Sequence, residues 1–144
     1  MDAYSTHLHA LVKTALTTTG SILELGCGDY STPVLQEIAK AQGRDYRGQS
    51  SDALWAARFL GIEIVDWMTW EPPVGWWGMV FLDSDEKTWD RVKRIPQLKG
   101  FTDTIVVHDA DIAMQRAGWP EAAKAFPKLE FYKTHQPWTV VMRC

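Results

Sequence analysis

The apolar positions of this chain follow two rhythms that alternate along its length. Near the start, Leu8, Leu11, Val12, Ala15 and Leu16 recur at i, i+3, i+4, i+7 and i+8, which predicts an amphipathic helix over residues 5–18. Gly20 ends it, and Ile22, Leu23 and Leu25 then form a short run broken only by Glu24, as in a buried strand. Ser31 and Thr32 offer caps, Pro33 suits a first helical turn, and Val34, Leu35, Ile38 and Ala39 return to helical spacing as far as Gly43. Asp45 to Gln49 is a short, polar strand candidate. Asp52 caps a helix carrying Leu54, Trp55, Phe59 and Leu60, closed by Gly61, and Ile62, Ile64 and Val65 make a third strand.

Met79 to Leu82 is four apolar residues in a row ending at Asp83, as expected of a central parallel strand covered on both faces. Asp85 caps a predicted helix bearing Trp89, Val92 and Ile95, limited by Pro96. Thr104 to Val107 is another buried strand, ending in His108 and Asp109. Two short helical pieces split by Trp119-Pro120 lead to a closing strand pair, Leu129 to Tyr132 and Trp138 to Met142, across a turn containing Pro137. Strands alternating with helices predict an α/β fold with a mostly parallel sheet, and right-handed crossovers put helices on both faces. Residues 66–78, DWMTWEPPVGWWG, carry two prolines and two glycines and read as loop.

Composition narrows the classes. The 144 residues suit one domain over 1–144, and 46% hydrophobic with 23% charged content is that of a globular protein. No apolar run approaches a membrane span and the amino terminus lacks a signal-peptide layout, so no membrane partner is expected. A net charge of −3 without a basic cluster argues against nucleic acid as a partner. Two cysteines, Cys27 and Cys144, fit neither a metal spacing nor a disulfide framework, which points to the cytoplasm.

Candidate chemistry collects at strand ends. Glu24 with the glycine turn, Ser50, Asp66, Asp83 and His108-Asp109 each follow a strand, and in a parallel sheet such ends converge on one crevice. Gly26 and Gly28 would let the backbone approach a ligand there. Trp67, Trp70, Trp76 and Trp77 read equally as packing, as a contact with a second copy of the chain, or as an aromatic lid. His7, His9 and His135 read as surface residues, and Cys27 as a small turn residue.

The string ELGCGDYSTP from Glu24, an acidic residue ahead of G-x-G, resembles the first motif of class I S-adenosylmethionine (SAM) dependent methyltransferases. Its longer form is similar to that of small, poorly characterised methyltransferase-like proteins of bacteria and phages. FLDSDEKTWDRV resembles the fourth-strand motif of small-molecule O-methyltransferases, IVVHDAD their fifth-strand motif, and PWTVV the closing strand of the small group. The resemblance implies a single-domain Rossmann-like fold of seven strands, the last inserted antiparallel beside the fifth, trimmed of a helix between strands three and four. It implies SAM as cofactor, held by Glu24, Gly26, Cys27, Gly28, Tyr30, Ser31, Ser50, Asp66 and Trp67. The implied activity is methyl transfer to a small-molecule acceptor at oxygen or nitrogen, with Asp83, His108 and Asp109 as catalytic residues.

Two points depart from the family pattern. Ser50 stands where an acidic residue usually grips the cofactor ribose, with Asp52 as a substitute. Some O-methyltransferases hold a divalent metal on the fourth- and fifth-strand acids, which would make Asp83, Asp109 and Asp111 a Mg²⁺ set. The metal-free reading is favoured, because Ala110 follows Asp109. Two other classes stay open: a SAM- or nucleotide-binding module without catalysis, and a degenerate fold used for protein interaction.

Overall fold

In the central strands, every second residue faces the same way, and this alternation builds two separate cores. Ile22, Met79, Phe81, Val106 and Val141 pack with Leu11, Ala15, Leu35 and Ala39 on one face. Leu23, Leu25, Val80, Leu82, Ile105, Val107, Val140 and Met142 pack on the other against Val92, Ile95, Leu98, Ala122 and Phe126. The computed structural model describes residues 5–86 and 90–144, so Trp89, assigned above to a helix, lies outside the described residues.

Along the chain run α1 (Leu8–Thr17), β1 (Ser21–Leu25), α2 (Thr32–Gln42), β2 (Tyr46–Ser50), α3 (Ala53–Ala56), β3 (Ile62–Ile64) and β4 (Trp77–Leu82). A 3₁₀ turn over Asp90–Lys93 continues into α4 (Arg94–Gln97). Then come β5 (Thr104–His108), α5 (Ala110–Ala113), α6 (Trp119–Ala125), β6 (Lys128–Tyr132) and β7 (Thr139–Arg143). The sheet order is β3-β2-β1-β4-β5-β7-β6; β7 is antiparallel to both β5 and β6, and the other pairs are parallel. This is the Rossmann-like α/β arrangement with an antiparallel closing strand, and no helix stands between β3 and β4.

Three local expectations are corrected. The helix after Asp52 stops at Ala56, and Leu54 and Leu60 are 88% and 87% exposed, because this short edge element buries only Ala56 of its four residues. Pro96 sits inside α4 and does not limit it, since in the first helical turns its missing N–H costs nothing. Trp119-Pro120 opens α6 for the same reason. The tryptophan-rich loop is mainly packing: Trp67, Trp70 and Trp77 are buried, and Trp76 is exposed. With three of the four indoles spent inside the chain, Trp76 is what remains of that loop's tryptophan surface for a second copy.

Strand β1 ends against β4 at a distance that only glycine permits. A Cβ on Gly26 would lie 2.0 Å from the Asp83 carbonyl oxygen, and φ there is +89°. Gly43, the left-handed cap of α2 at φ +65°, has no atom near where its Cβ would stand. Gly26→Ala should therefore cost about 3 kcal/mol or more, combining strain with overpacking. Gly43→Ala should cost about 1 kcal/mol, from conformation alone. Urea unfolding of the two variants checks the contrast, and equal losses would refute it.

Candidate functional site

The site is built outward from Glu24. Alternation along β1 turns this carboxylate into the core face of α1 and α2, where it is fully buried. An unpaired carboxylate there would be costly, and three hydroxyls meet it. Ser31 Oγ donates to Oε2 at 2.5 Å, while Thr32 Oγ1 and Tyr46 OH donate to Oε1 at 2.7 and 2.5 Å. Burial pushes the Glu24 carboxyl up to about 7, with the three donors opposing it. Ser31 occupies the N-cap position of α2 but makes no side-chain cap bond, its hydroxyl being given to Glu24. The Gly28 N–H donates to Thr32 Oγ1 at 3.0 Å, so Glu24 shapes the turn from behind.

The two glycines thereby take different tasks. Gly26 packs against β4, whereas a Cβ on Gly28 would meet only Ser31 Oγ, at 3.4 Å. Gly28 borders a crevice of about 480 Å³ with Cys27, Tyr30, Ser31, Trp55 and Asp83, a size suited to a small ligand. The bare backbone of Gly28 and the Trp55 side chain line the same crevice, and a side chain at 28 would enter that space. Trp55 is held by its own Nε1–H on the Cys27 carbonyl at 2.7 Å, and the Arg58 guanidinium lies 4.3 Å from its ring. Burial pushes the Cys27 thiol up to about 11, which removes it as a nucleophile at neutral pH.

At the far wall, the ends of β4 and β5 bring Asp83, His108 and Asp109 together, as their strand-end positions imply. Arg91, which sequence reasoning missed, joins them: its Nη1 donates to Asp83 Oδ1 at 2.7 Å and to Asp109 Oδ2 at 3.1 Å. His108 Nδ1 lies 3.2 Å from Asp83 Oδ1. Burial raises the Asp83 carboxyl, but the His108 hydrogen bond and the charges of His108 and Arg91 outweigh it and hold it below its usual range. Burial lowers His108, and Asp83 with Asp109 more than reverses that, leaving it raised. Asp109 is raised by burial first and by the Asp83 charge. Its backbone is left-handed at φ 56°, an uncommon conformation for a non-glycine residue, found here at a cluster of charges.

Three ligand atoms of Asp83, His108 and Asp109 lie within 4.8 Å of one another, yet a guanidinium already bridges the two carboxylates. Asp111, the third member of the Mg²⁺ alternative, instead accepts the Trp138 N–H at 3.1 Å. An Arg-bridged pair with an imidazole does not suit a hard ion that wants several oxygens and waters.

Asp85, read from the sequence as a helix cap for a turn that lies outside the described residues, also takes part in the site. Its carboxylate reaches back to β2, accepting from Ser50 Oγ at 3.0 Å, from the N–H groups of Ser51 and Asp52 at 3.3 and 3.1 Å, and from Trp67 Nε1 at 3.0 Å. Ser50 is fully buried beneath it. Asp66 and Trp67 line an adjoining crevice of about 370 Å³ that shares Asp85 with the first.

His7 corrects the surface expectation. It is 3% exposed, lines the first crevice, and stacks 5.0 Å from Phe81 and edge-on 4.7 Å from His108, centroid to centroid. Neither ring nitrogen has a hydrogen-bond partner among the described residues, an omission worth about 1–3 kcal/mol per group. Burial and the nearby His108 hold it down at about 4. Its spacing from Leu11 was the available signal, since i and i+4 share a helix face.

No protein-family model and no curated protein matches this sequence. Solved structures with the same fold include the 23S rRNA methyltransferase ErmE, at 16% identity and TM-score 0.56, covering 94% of this chain and 68% of that one. A human methyltransferase 10 domain containing protein aligns at 13% identity and TM-score 0.60, over 95% of this chain and 80% of its own. P. horikoshii TYW2 in complex with MeSAdo aligns at 14% and 0.53, over 92% and 59%. The chain thus shares its Rossmann-like fold with these methyltransferases. The expectation that nucleic acid is excluded does not stand, because a neighbour in fold is by name an rRNA methyltransferase and net charge does not decide what a local surface binds. No helix among the described residues is long and apolar enough to cross a membrane.

The buried Glu24 gives a pH test. A carboxyl held at about 7 when folded and 4.5 otherwise binds protons more readily in the folded chain, so its contribution to stability is lost as pH climbs through that window. Glu24→Gln keeps the shape without the charge. Its stability relative to the parent should improve by on the order of 3 kcal/mol between pH 4.5 and 7, read by urea unfolding. A difference independent of pH would mean that Glu24 is not the titrating group.

Proposed function

We propose that this chain is a SAM-dependent methyltransferase, with the cofactor in the crevice between Gly28 and Trp55 and the acceptor presented beside Asp83 and His108. One observation carries the reading. The crevice opens at the carboxyl ends of β1 and β4, where the strand order reverses direction, and Gly28 meets it there with bare backbone. When bound, SAM supplies a methyl group already activated by its sulfonium, so alignment is the main demand on the protein. Gly28, Tyr30 and Ser31 would hold the cofactor from the turn, Trp55 would cover it, and Asp66 with Trp67 would lie at the adjoining crevice. Asp83 is held ionised by Arg91 and His108, and at 28% side-chain exposure it can accept a hydrogen bond from an incoming N–H or O–H group. The acceptor we put forward is an RNA nucleotide, a reading supported by the fold shared with a 23S rRNA methyltransferase.

One observation favours a second reading, binding without transfer. The hydroxyl expected to serve the cofactor ribose, Ser50, is fully buried and committed to Asp85.

Titration calorimetry with S-adenosylhomocysteine tests the site. Gly28→Val should fold like the parent, since its Cβ meets nothing closer than 3.4 Å, and should weaken binding tenfold or more. Undiminished heat in that variant would remove the crevice from the proposal. Transfer from tritiated SAM to RNA then separates the two readings: Asp83→Asn should reduce it about 10²-fold through lost alignment. Tight binding with no transfer in the parent would favour the module.

A further inference from the structure

We propose that the β6–β7 hairpin is a nucleotide-binding platform, on which Trp138 stacks with a base of the substrate strand and Lys133 meets an adjoining phosphate. This rests on the RNA acceptor put forward above, and names a second point at which that strand is held. Strand register sets the side chains together. Phe131 pairs with Val140 and Tyr132 with Thr139, so the next step of the ladder brings Lys133 beside Trp138, two residues on from Phe131 and on its face. The Lys133 ammonium stands 4.6 Å from the Trp138 ring centre and 5.0 Å from that of Phe131, so one cation serves two aromatic rings. Both rings pack against the core of that face while keeping part of their surface open. Lys13 and Lys93 pair with Glu130 and Asp90, whereas Lys133 is exposed and has no carboxylate partner among the described residues. An anion can therefore take up this ammonium without first displacing a counter-charge.

The hairpin is tied to the charged end of the site. The Trp138 carbonyl accepts from the Ala110 N–H at 2.9 Å, and the Trp138 N–H donates to Asp111 Oδ1 at 3.1 Å. Both polar groups of its backbone are thus fixed to the residues that follow Asp109, and Thr139 pairs with His108 in the ladder. A strand whose acceptor nucleotide lay beside Asp83 would reach this hairpin with a neighbouring nucleotide. The chemistry selects the ligand class. Every nucleobase has a π face and every linkage a phosphate, so an aromatic ring with an unpaired cation suits single-stranded nucleic acid without reading its sequence. An apolar protein surface suits it less, because closing over the rings would bury the Lys133 charge without a partner.

Fluorescence anisotropy with a fluorescein-labelled single-stranded RNA of about 12 nucleotides reads the platform directly. Lys133→Gln should weaken binding about fivefold and reduce the slope of log K against log salt by about 0.7, the share of one phosphate. Lys40→Gln, the same change of charge in the last turn of α2, should leave affinity within about twofold. Trp138→Leu should weaken binding about fivefold or more, and Trp138→Phe, which keeps a ring, should recover most of the loss. An abasic strand of equal length and charge should bind the parent as weakly as the intact RNA binds Trp138→Leu. S-adenosylhomocysteine affinity within about twofold of the parent's marks each variant as folded with its crevice intact. Should Trp138→Leu fail to fold, Lys133→Gln and the abasic strand decide alone. Equal binding of intact and abasic strands, or an effect of Lys133→Gln no larger than that of Lys40→Gln, would overturn the platform and leave the RNA acceptor standing. A parent that binds S-adenosylhomocysteine but no RNA would remove the RNA acceptor, and the platform with it.

Discussion

A buried carboxylate held by three hydroxyls is the constraint on which the rest of this structure depends. Glu24 belongs to β1, Ser31 and Thr32 to the start of α2, and Tyr46 to β2, so one side chain ties three elements together. The register explains how the phenol arrives. Gly48 pairs with Glu24 across the β1–β2 ladder, and a Cβ on Gly48 would lie 2.4 Å from the Tyr46 hydroxyl. Tyr46 thus crosses the space that a side chain at 48 would claim. The glycine turn between Glu24 and Ser31 is consequently closed at both ends, and its outward face is what the crevice sees.

From that lock follows a division between what holds the crevice and what faces it. Glu24, Gly26 and Ser50 stand behind it, in contact with protein, while Gly28, Trp55 and Asp83 border it. Asp85 supplies, from the end of β4, the carboxylate that β2 lacks. Its four donors come from the β2 edge and the loop bearing Trp67, so it works as a clip between strand ends. Arg91 plays the corresponding part on the other side, where two aspartates would otherwise repel each other.

How much of this was legible in the sequence depended on the range of the interaction concerned. Runs such as Met79 to Leu82 declared buried parallel strands, and their polar terminators were expected to gather on one edge, where the ends of β4 and β5 do bring Asp83, His108 and Asp109 together. Both depend on neighbours in sequence, and pattern reports these well. The roles of Arg91 and Asp85 at the site were missed because their partners belong to other elements, 8 and 18 residues away for Arg91 and 18 to 35 for Asp85, which no local spacing encodes. His7 was misread because residue type was allowed to outweigh position: a polar residue on the face shared with Leu11 was taken for surface. Gly26 was read as ligand space, when the backbone it spares is that of β4. A close approach between strands and a close approach to a ligand require the same residue, so the glycine alone could not distinguish them.

The protonation of the interior follows from the same geometry. Glu24 is held at about 7 and His7 at about 4, each moved by burial towards its uncharged form. Their effects on stability have opposite signs. The Glu24 contribution is lost as pH rises from 4.5 to about 7, while the His7 contribution is lost as pH falls from 6.5 to about 4. Over most of the shared window the two slopes offset each other. The Glu24 and His7 terms can therefore largely cancel in weak acid while both groups stay strongly perturbed within one fold. Flatness in such a profile reports cancellation, and only substitution of one partner at a time exposes the terms beneath it. The charged cluster of Asp83, Arg91, His108 and Asp109 adds its own terms to this interior, with Asp83 lowered and His108 and Asp109 raised, and each carboxylate there has a cationic neighbour within 3.1 Å.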